Sequence, residues 1–314
     1  MKITNEQLQE LVVGAVMSEP TNRGIRFYKM TQKQLVAFAQ LSATLGERAK
    51  SSTGIRLDFI TNSKYVSFTS VRGARFEYLI DGQYVARVGK NANKEDEKVE
   101  IELTKPCRVT ICFSSHDVCS EIADFEIEDG ATIERYKFKE KVLFIGDSIT
   151  QGWNSGVDVF SYAYRTSFAM DFDSIIQGVG GSCYFPSTFD DCKKTFDRVI
   201  VAYGTNDVRQ NVTREKMLEN VREYLSLVKN TYKGAKLYGI SPVWVSGGEI
   251  EKTAGNIFEN YEKIGQEIEN AGFYHVKGMD IIPHDKKYFA DDLHPNAEGF
   301  SCYAQHLVEI LRNN

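Results

Sequence analysis

Four short segments of this sequence bring together residue types that can do chemistry. They are Gly146-Asp147-Ser148, the run Gly178 to Ser182, Gly204-Thr205-Asn206-Asp207, and Asp291-Asp292-Leu293-His294. A serine hydroxyl becomes a useful nucleophile only when a base takes its proton. His294 suits that task, because an imidazole titrates near neutrality. A carboxylate can orient the ring and stabilise its charged form. Asp291 stands three residues before His294, so one turn of chain returns its carboxylate to the ring, with Asp292 as the competing choice. Attack on a carbonyl creates an oxyanion, and losing one donor to that charge costs about 3–4 kcal/mol. Three donors are at hand: the Ser148 N–H, a backbone N–H in the Gly178–Gly181 loop, and the Asn206 side-chain amide. Glycine suits the loop, where backbone must approach a substrate closely.

The elements that would hold these segments are legible after Lys141. Short continuous apolar runs (VLFIG, DSIIQG, RVIVAYG, KLYGIS and FYHVKG) alternate with helical patterns such as TREKMLENVREYLSLVKNTY, GNIFENYEKIGQEIENAG and NAEGFSCYAQHLVEIL. That alternation indicates a parallel sheet covered by helices on both faces, a three-layer α/β/α domain. In such sheets ligands bind beyond the carboxyl ends of the strands, where the polar segments fall.

The first half has another rhythm. From about Gly54 to Asp129, apolar residues recur every second position, as Ile55, Leu57 and Phe59, then Val66 and Phe68, then Phe76, Tyr78 and Ile80. Val99, Ile101, Leu103, Val109, Ile111 and Phe113 continue the pattern. Turn residues separate the runs at Thr61-Asn62-Ser63, Asp81-Gly82 and Gly89 to Asn93. Repeated short strands with one apolar face predict an antiparallel β-sandwich of jelly-roll type. Helical stretches within residues 1–53 are expected to lead into it or pack on its edge. The boundary is placed at the charged run ERYKFKEK, giving an accessory domain over 1–136 and an α/β domain over 137–314.

The composition excludes several classes. A formal charge of −5 with no dense basic patch argues against nucleic acid as a partner. No apolar stretch approaches a membrane span, and the polar N-terminus is no signal peptide, so a cytoplasmic location is expected. Cys107, Cys112, His116 and Cys119 lie close together but lack a CxxC pair, and buried free thiols are expected there rather than zinc. No metal and no cofactor is called for. GVGGSC lacks the last glycine of a dinucleotide fingerprint, and the nucleophile-elbow pattern GxSxG is absent. Asp147 and Asp207 read as carboxylates that hold turns. Of the other histidines, His275 reads as a strand-end residue, and only the His284-Asp285 pair competes with the assigned one. Trp153, Tyr184, Phe185 and Trp244 follow strand ends or polar segments, where aromatic rings can stack on the C–H faces of sugars.

With GDSIT at 146–150, GVGG at 178–181, GTND at 204–207 and DDLH at 291–294, in that order, the sequence resembles the SGNH/GDSL hydrolases over roughly residues 140–314. The resemblance implies a serine esterase with Ser148 as nucleophile and Asp291 and His294 completing a triad. It implies Gly181 and Asn206, with the Ser148 N–H, as the oxyanion hole. Members often carry Asn just before the glycine of the second block, where this chain has Ile176-Gln177, and the donor glycine stays open between Gly180 and Gly181. A β-sandwich ahead of such a domain is similar to the two-domain carbohydrate esterases of family 2. That similarity implies an acetylated carbohydrate of plant type as substrate, bound through Trp153, Tyr184 and Trp244. The rivals are a lipid or thioester acyl hydrolase of the same family, and a carbohydrate-binding protein with an inactive hydrolase domain.

Overall fold

The period-two runs of the first half form strands, and their alternation sorts into two antiparallel sheets. The computed structural model describes residues 1–89, 95–117 and 119–314. The turn expected over Gly89 to Asn93 lies, apart from Gly89, outside the described residues. The chain divides into two units, one of Met1–Thr31 with Lys50–Phe138 and one of Gln32–Ala49 with Lys139–Asn314.

In the first unit, one sheet runs in the order Val12–Val13, Arg56–Thr61, Cys107–Phe113, Phe76–Ile80 and Gln83–Val88, with Ile133–Arg135 also paired to Arg56–Thr61. The other runs Met17–Pro20, Ile25–Tyr28, Glu121–Ile127, Tyr65–Val71 and Glu97–Glu102. Residues of both sheets, among them Phe27, Phe59, Phe68, Phe76, Phe113 and Phe125, share one buried cluster. Phe76 and Phe113 meet edge to face at 5.0 Å between centroids, whereas Phe68 and Phe125 stack at 6.3 Å, and ring quadrupoles favour edge-to-face and offset-stacked pairs. Cys107 and Cys112 are buried in one strand, and all six cysteines are free thiols. Among the described residues, no group of three or more His, Cys, Asp or Glu side chains could hold a metal ion.

The strand Arg56–Thr61 departs from simple alternation, because Arg56 and Asp58 are as buried as Leu57 and Phe59. Asp58 accepts hydrogen bonds from Arg108 Nε at 2.7 Å and Nη2 at 2.8 Å, and from Arg56 Nε at 3.2 Å. The Arg108 guanidinium lies over the Tyr136 ring, 3.4 Å from its centroid. One buried carboxylate thus pairs with two guanidinium groups, Arg56 fully buried and Arg108 partly exposed.

The helices of residues 1–53 do not stay together. Asn5–Leu11, capped by Thr4, belongs to the first unit, whereas Gln32–Leu41 and Ala43–Ala49 belong to the second. Proximity in sequence to the sandwich suggested its edge; polar contacts described below hold this pair to the α/β unit instead.

The second unit is built on a five-stranded parallel sheet in the order Phe172–Gly178, Glu140–Gly146, Arg198–Ala202, Lys236–Ile240 and Tyr274–Val276. Val142 to Ile145 are buried at every position, as a strand covered on both faces must be. Helix Tyr162–Met170 packs with Ala297–Asn313, and Arg214–Thr231 packs with Ile257–Asn270. The last three are capped by Thr213, Asn256 and Asn296, each of which accepts a backbone N–H in the first turn. The chain passes from Glu140–Gly146 to one neighbour and returns to the other. That leaves a crevice at the carboxyl end of this strand, the switch point where open α/β sheets bind ligands.

Replacing Asp58 with alanine removes the carboxylate that pairs with buried Arg56 and with Arg108. The expected cost is about 3–5 kcal/mol, measured as a lower urea midpoint; an unchanged midpoint would show that the two arginines reach water instead.

Candidate active site

Ser148 lies at that switch point. The strand Glu140–Gly146 ends at Gly146, and Asp147 caps a four-residue turn, Ser148–Gln151, by accepting the Ile149 N–H at 2.9 Å. The turn can double back this tightly because Gly146 has no side chain. A Cβ there would lie 2.0 Å from Thr150 Oγ1 and 2.6 Å from the Ala202 carbonyl oxygen. Ser148 therefore stands at the first position of a helical turn, where a backbone N–H has no intrahelical partner.

His294 Nε2 lies 2.9 Å from Ser148 Oγ, and His294 Nδ1 lies 2.9 Å from Asp291 Oδ2. An ionised carboxylate only accepts, so Nδ1 carries the ring proton and the Nε2 lone pair faces the serine hydroxyl. The backbone completes the arrangement: Asp291 Oδ1 accepts the N–H of Leu293 at 2.8 Å and of His294 at 2.6 Å. Burial pushes the Asp291 carboxyl up, but the His294 backbone and ring hydrogen bonds and the Leu293 N–H outweigh it, and its pKa is lowered. Asp291 thus stays ionised where it must hold the imidazole. Asp292, the competing choice, faces Lys286 Nζ at 3.7 Å.

One participant escaped the sequence reading. Asn154 Nδ2 donates to Asp291 Oδ2 at 2.9 Å, from a left-handed backbone position with φ of 65°. Asparagine tolerates that conformation, so a turn after Trp153 was legible, but its partner 137 residues away was not.

The donors are arranged around the same hydroxyl turn. The Gly180 N–H donates to Gln151 Oε1 at 2.7 Å, so it is committed, whereas no hydrogen bond among the described residues takes up the Gly181 N–H. Gly181 adopts φ of +83°, which favours glycine. Asn206 Nδ2 donates to the Ser182 carbonyl at 3.0 Å and, at a long 3.4 Å, to Asp147 Oδ2.

The sequence profile of the GDSL-like lipase/acylhydrolase family matches residues 144–301, half of the chain. The chain belongs to this family. Membership makes it a carboxylic ester hydrolase by class. No curated protein sequence matches it. Among solved structures, it is similar over 100% of its length to 97% of a salicylyl-acyltransferase, SsfX3, from a tetracycline biosynthetic pathway, at 14% identity and a TM-score of 0.84. A family two carbohydrate esterase from Clostridium thermocellum in complex with cellohexaose matches 96% of this chain over 98% of its own, at 15% identity and a TM-score of 0.70. An acetyl xylan esterase, Est2A, from the rumen bacterium Butyrivibrio proteoclasticus matches 84% over 91%, at 17% identity and 0.62. At these identities the likeness is one of fold.

In this GDSL-family chain the three aromatic candidates part ways. Tyr184 is fully buried, edge-on to Tyr203 and Tyr224 at 5.3 and 5.7 Å, so it is core and cannot meet a sugar. Its position just after the glycine loop suggested exposure; the loop turns inward there, because Asp207 Oδ1 takes the Tyr184 N–H at 2.9 Å. Trp153 stacks on His294, 6.1 Å between centroids, with the Arg48 guanidinium 4.9 Å from its ring, so it packs on the machinery itself. Trp244 is half-buried, stacked on His284 at 5.6 Å and against Phe289 at 5.3 Å. His284 Nε2 bonds the Met279 carbonyl and Asp285 caps the Lys286–Tyr288 turn, so those two side chains do not form a competing pair. His275 ties Glu269 at 2.8 Å to Ser241 at 3.0 Å, but Ser241 Oγ also accepts the Gly278 N–H, and the trio links three elements of the scaffold.

Two carboxylates near Ser148, those of Asp147 and Asp207, are buried. Burial pushes Asp147 up to about 7, with the charge of Asp207 adding to it while the Ile149 N–H and Arg209 act against it. Burial likewise pushes Asp207 up to about 7 against the hydrogen bond from the Tyr184 N–H. Both folded-state values exceed the unfolded one, so between about pH 4 and 7 the unfolded chain has lost protons that the folded chain keeps. Their stabilising contribution is complete below that window and is lost as pH rises through it. Asp207→Asn mimics the neutral acid and keeps the acceptor for Tyr184. It should leave the melting temperature unchanged near pH 4 and raise it at pH 8, by about 2–4 °C for each kcal/mol. An equal rise at both pH values would exclude ionisation as the cause.

Proposed function

We propose that this protein is a serine esterase that removes O-acetyl groups from carbohydrates, plant-type oligosaccharides in particular, through an acyl-enzyme on Ser148. The observation that carries the reading is the 2.9 Å contact of His294 Nε2 with Ser148 Oγ, in the tautomer that accepts a proton. His294 takes the hydroxyl proton as Oγ attacks the ester carbonyl, and Asp291 stabilises the imidazolium. The Ser148 and Gly181 N–H groups hold the oxyanion, and Asn206 joins them by giving up its long bond to Asp147. The imidazolium then protonates the leaving sugar hydroxyl. Water activated by His294 releases acetate and restores Ser148.

The carbohydrate part of the reading is supported by the two-unit chain that this protein has in common with the family two carbohydrate esterase and by the acetyl xylan esterase. Trp244 is the aromatic residue proposed to meet the sugar. A second reading, transfer of the acyl group to a hydroxyl other than water, is motivated by the salicylyl-acyltransferase likeness along the whole chain. Both readings use the same acyl-enzyme, so an added acceptor alcohol separates them by product.

The test is acetate release from acetylated xylo-, manno- and gluco-oligosaccharides, wild type against Ser148→Ala. Activity should fall by a factor on the order of 10⁴ or more, and fluorophosphonate labelling should vanish. A preference for octanoyl over acetyl esters would favour a lipid or thioester hydrolase. A wild-type protein that is neither labelled nor active would leave a carbohydrate-binding module.

Asn206→Ala should lower kcat by about 10²-fold with little change in KM. A loss confined to KM would remove Asn206 from the oxyanion hole.

A further inference from the structure

We propose that Arg48 is a positioning residue for the oxyanion hole, holding and polarising the Gly180–Gly181 peptide so that the Gly181 N–H faces the reacting carbonyl. The inference rests on the reading of Gly181 as an oxyanion donor. Arg48 lies outside residues 144–301 matched by the family profile, one hundred residues before Ser148.

Arg48 Nη1 donates to the Gly180 carbonyl oxygen at 2.9 Å. That carbonyl and the Gly181 N–H are the two ends of one planar trans peptide, so they point in opposite directions. Fixing the oxygen on the guanidinium fixes where the N–H points. A cationic donor on the oxygen also draws electron density through the amide and makes its N–H a stronger donor. Such cooperativity strengthens a bond by about 10–30%. The preceding peptide is pinned separately, by the Gly180 N–H on Gln151 Oε1 at 2.7 Å. Two adjacent glycines have no side chains to hold their planes, and here neighbouring side chains do it. The guanidinium packs closely: a Cβ on Gly181 would lie 3.1 Å from Arg48 Nη1.

The same guanidinium reaches toward the base. It lies over Trp153, whose ring stacks on His294. Arg48 therefore contacts both the donor loop and the ring that flanks the imidazole. Its own placement is secured by the helix pair that carries it. Gln34, on the first of these helices, exchanges two amide hydrogen bonds of 3.1 Å with Gln177, the penultimate residue of the strand that feeds the glycine loop. The pair thus grips the strand end and the loop at two points.

Arg48→Met removes the donor and the charge and keeps the length of the stem. Arg48→Lys restores the charge and a donor. On an acetylated substrate, Arg48→Met should lose about 10- to 100-fold in kcat with KM within twofold. Its affinity for phenylboronic acid, which forms a tetrahedral adduct with the serine, should fall in parallel. Arg48→Lys should recover at least part of both. A role in packing alone would lower the melting temperature without moving kcat or boronate affinity, and that outcome would overturn the proposal, as would a loss in KM alone. Should Arg48→Met fail to fold, Arg48→Lys decides by the same measurements: wild-type kcat and boronate affinity at a shifted melting temperature would reject polarisation by this contact. Wild type active and labelled on Ser148, with Arg48→Met unaffected, defeats this inference and leaves the esterase reading intact. Wild type inactive and unlabelled defeats that reading and this inference with it.

Discussion

The hydrogen bond between His294 Nε2 and Ser148 Oγ is the contact on which the rest of the second unit depends. It joins residues 146 positions apart and has a useful direction only if the ring proton sits on Nδ1. Asp291 imposes that choice, and its second oxygen is fixed by the backbone of the very loop that carries the histidine. The carboxylate therefore shapes its loop and orients the ring with one set of bonds. Asn154 adds a tie from the chain just after the nucleophile turn. Ser148, His294, Asp291 and Asn154 form a chain of hydrogen bonds whose members cannot shift independently. Holding reacting groups in register before substrate arrives is where such sites gain much of their rate.

That chain of hydrogen bonds is bordered by carboxylates that cost stability. Asp147 and Asp207 are both buried, and burial alone disfavours their charge. Each nevertheless fixes backbone next to the hydroxyl: Asp147 starts the Ser148 turn, and Asp207 anchors the segment leaving the glycine loop at Tyr184. Buried polar groups of this kind make a loop geometry unique when their partners are satisfied. Asn206 reaches from the Ser182 carbonyl to Asp147, so it links these two anchored segments. Rigidity around the nucleophile is obtained with groups that an apolar core would not choose.

The convergence of Ser148, Asp291 and His294 was legible, because strand ends in an α/β pattern meet at one rim of the sheet. What failed was non-local or directional. Tyr184 follows a glycine loop, as an exposed subsite residue would, but the hydrogen bond to Asp207 turns it inward. Asn154, Arg48 and the Gln34–Gln177 pair have partners more than a hundred residues away, and no periodicity encodes them. The helices of residues 32–49 carry an ordinary amphipathic pattern that gives a buried face but not the partner for that face.

That last point decides which residues make up the second unit. Gln177 is buried, and an amide buried without partners costs about 1–3 kcal/mol. Its partners include Gln34 and Cys192, and of these two Gln34 lies outside the stretch that the family profile recognises. The glycine loop leans likewise on Arg48. The four sequence blocks therefore meet around Ser148, whereas part of what holds them in register comes from an earlier stretch of chain, which lies in sequence between strands of the first unit. A boundary drawn at the charged run before residue 137 would divide the Gly180–Gly181 loop from Arg48 and Gln177 from Gln34, because the unit that contacts define is discontinuous in sequence.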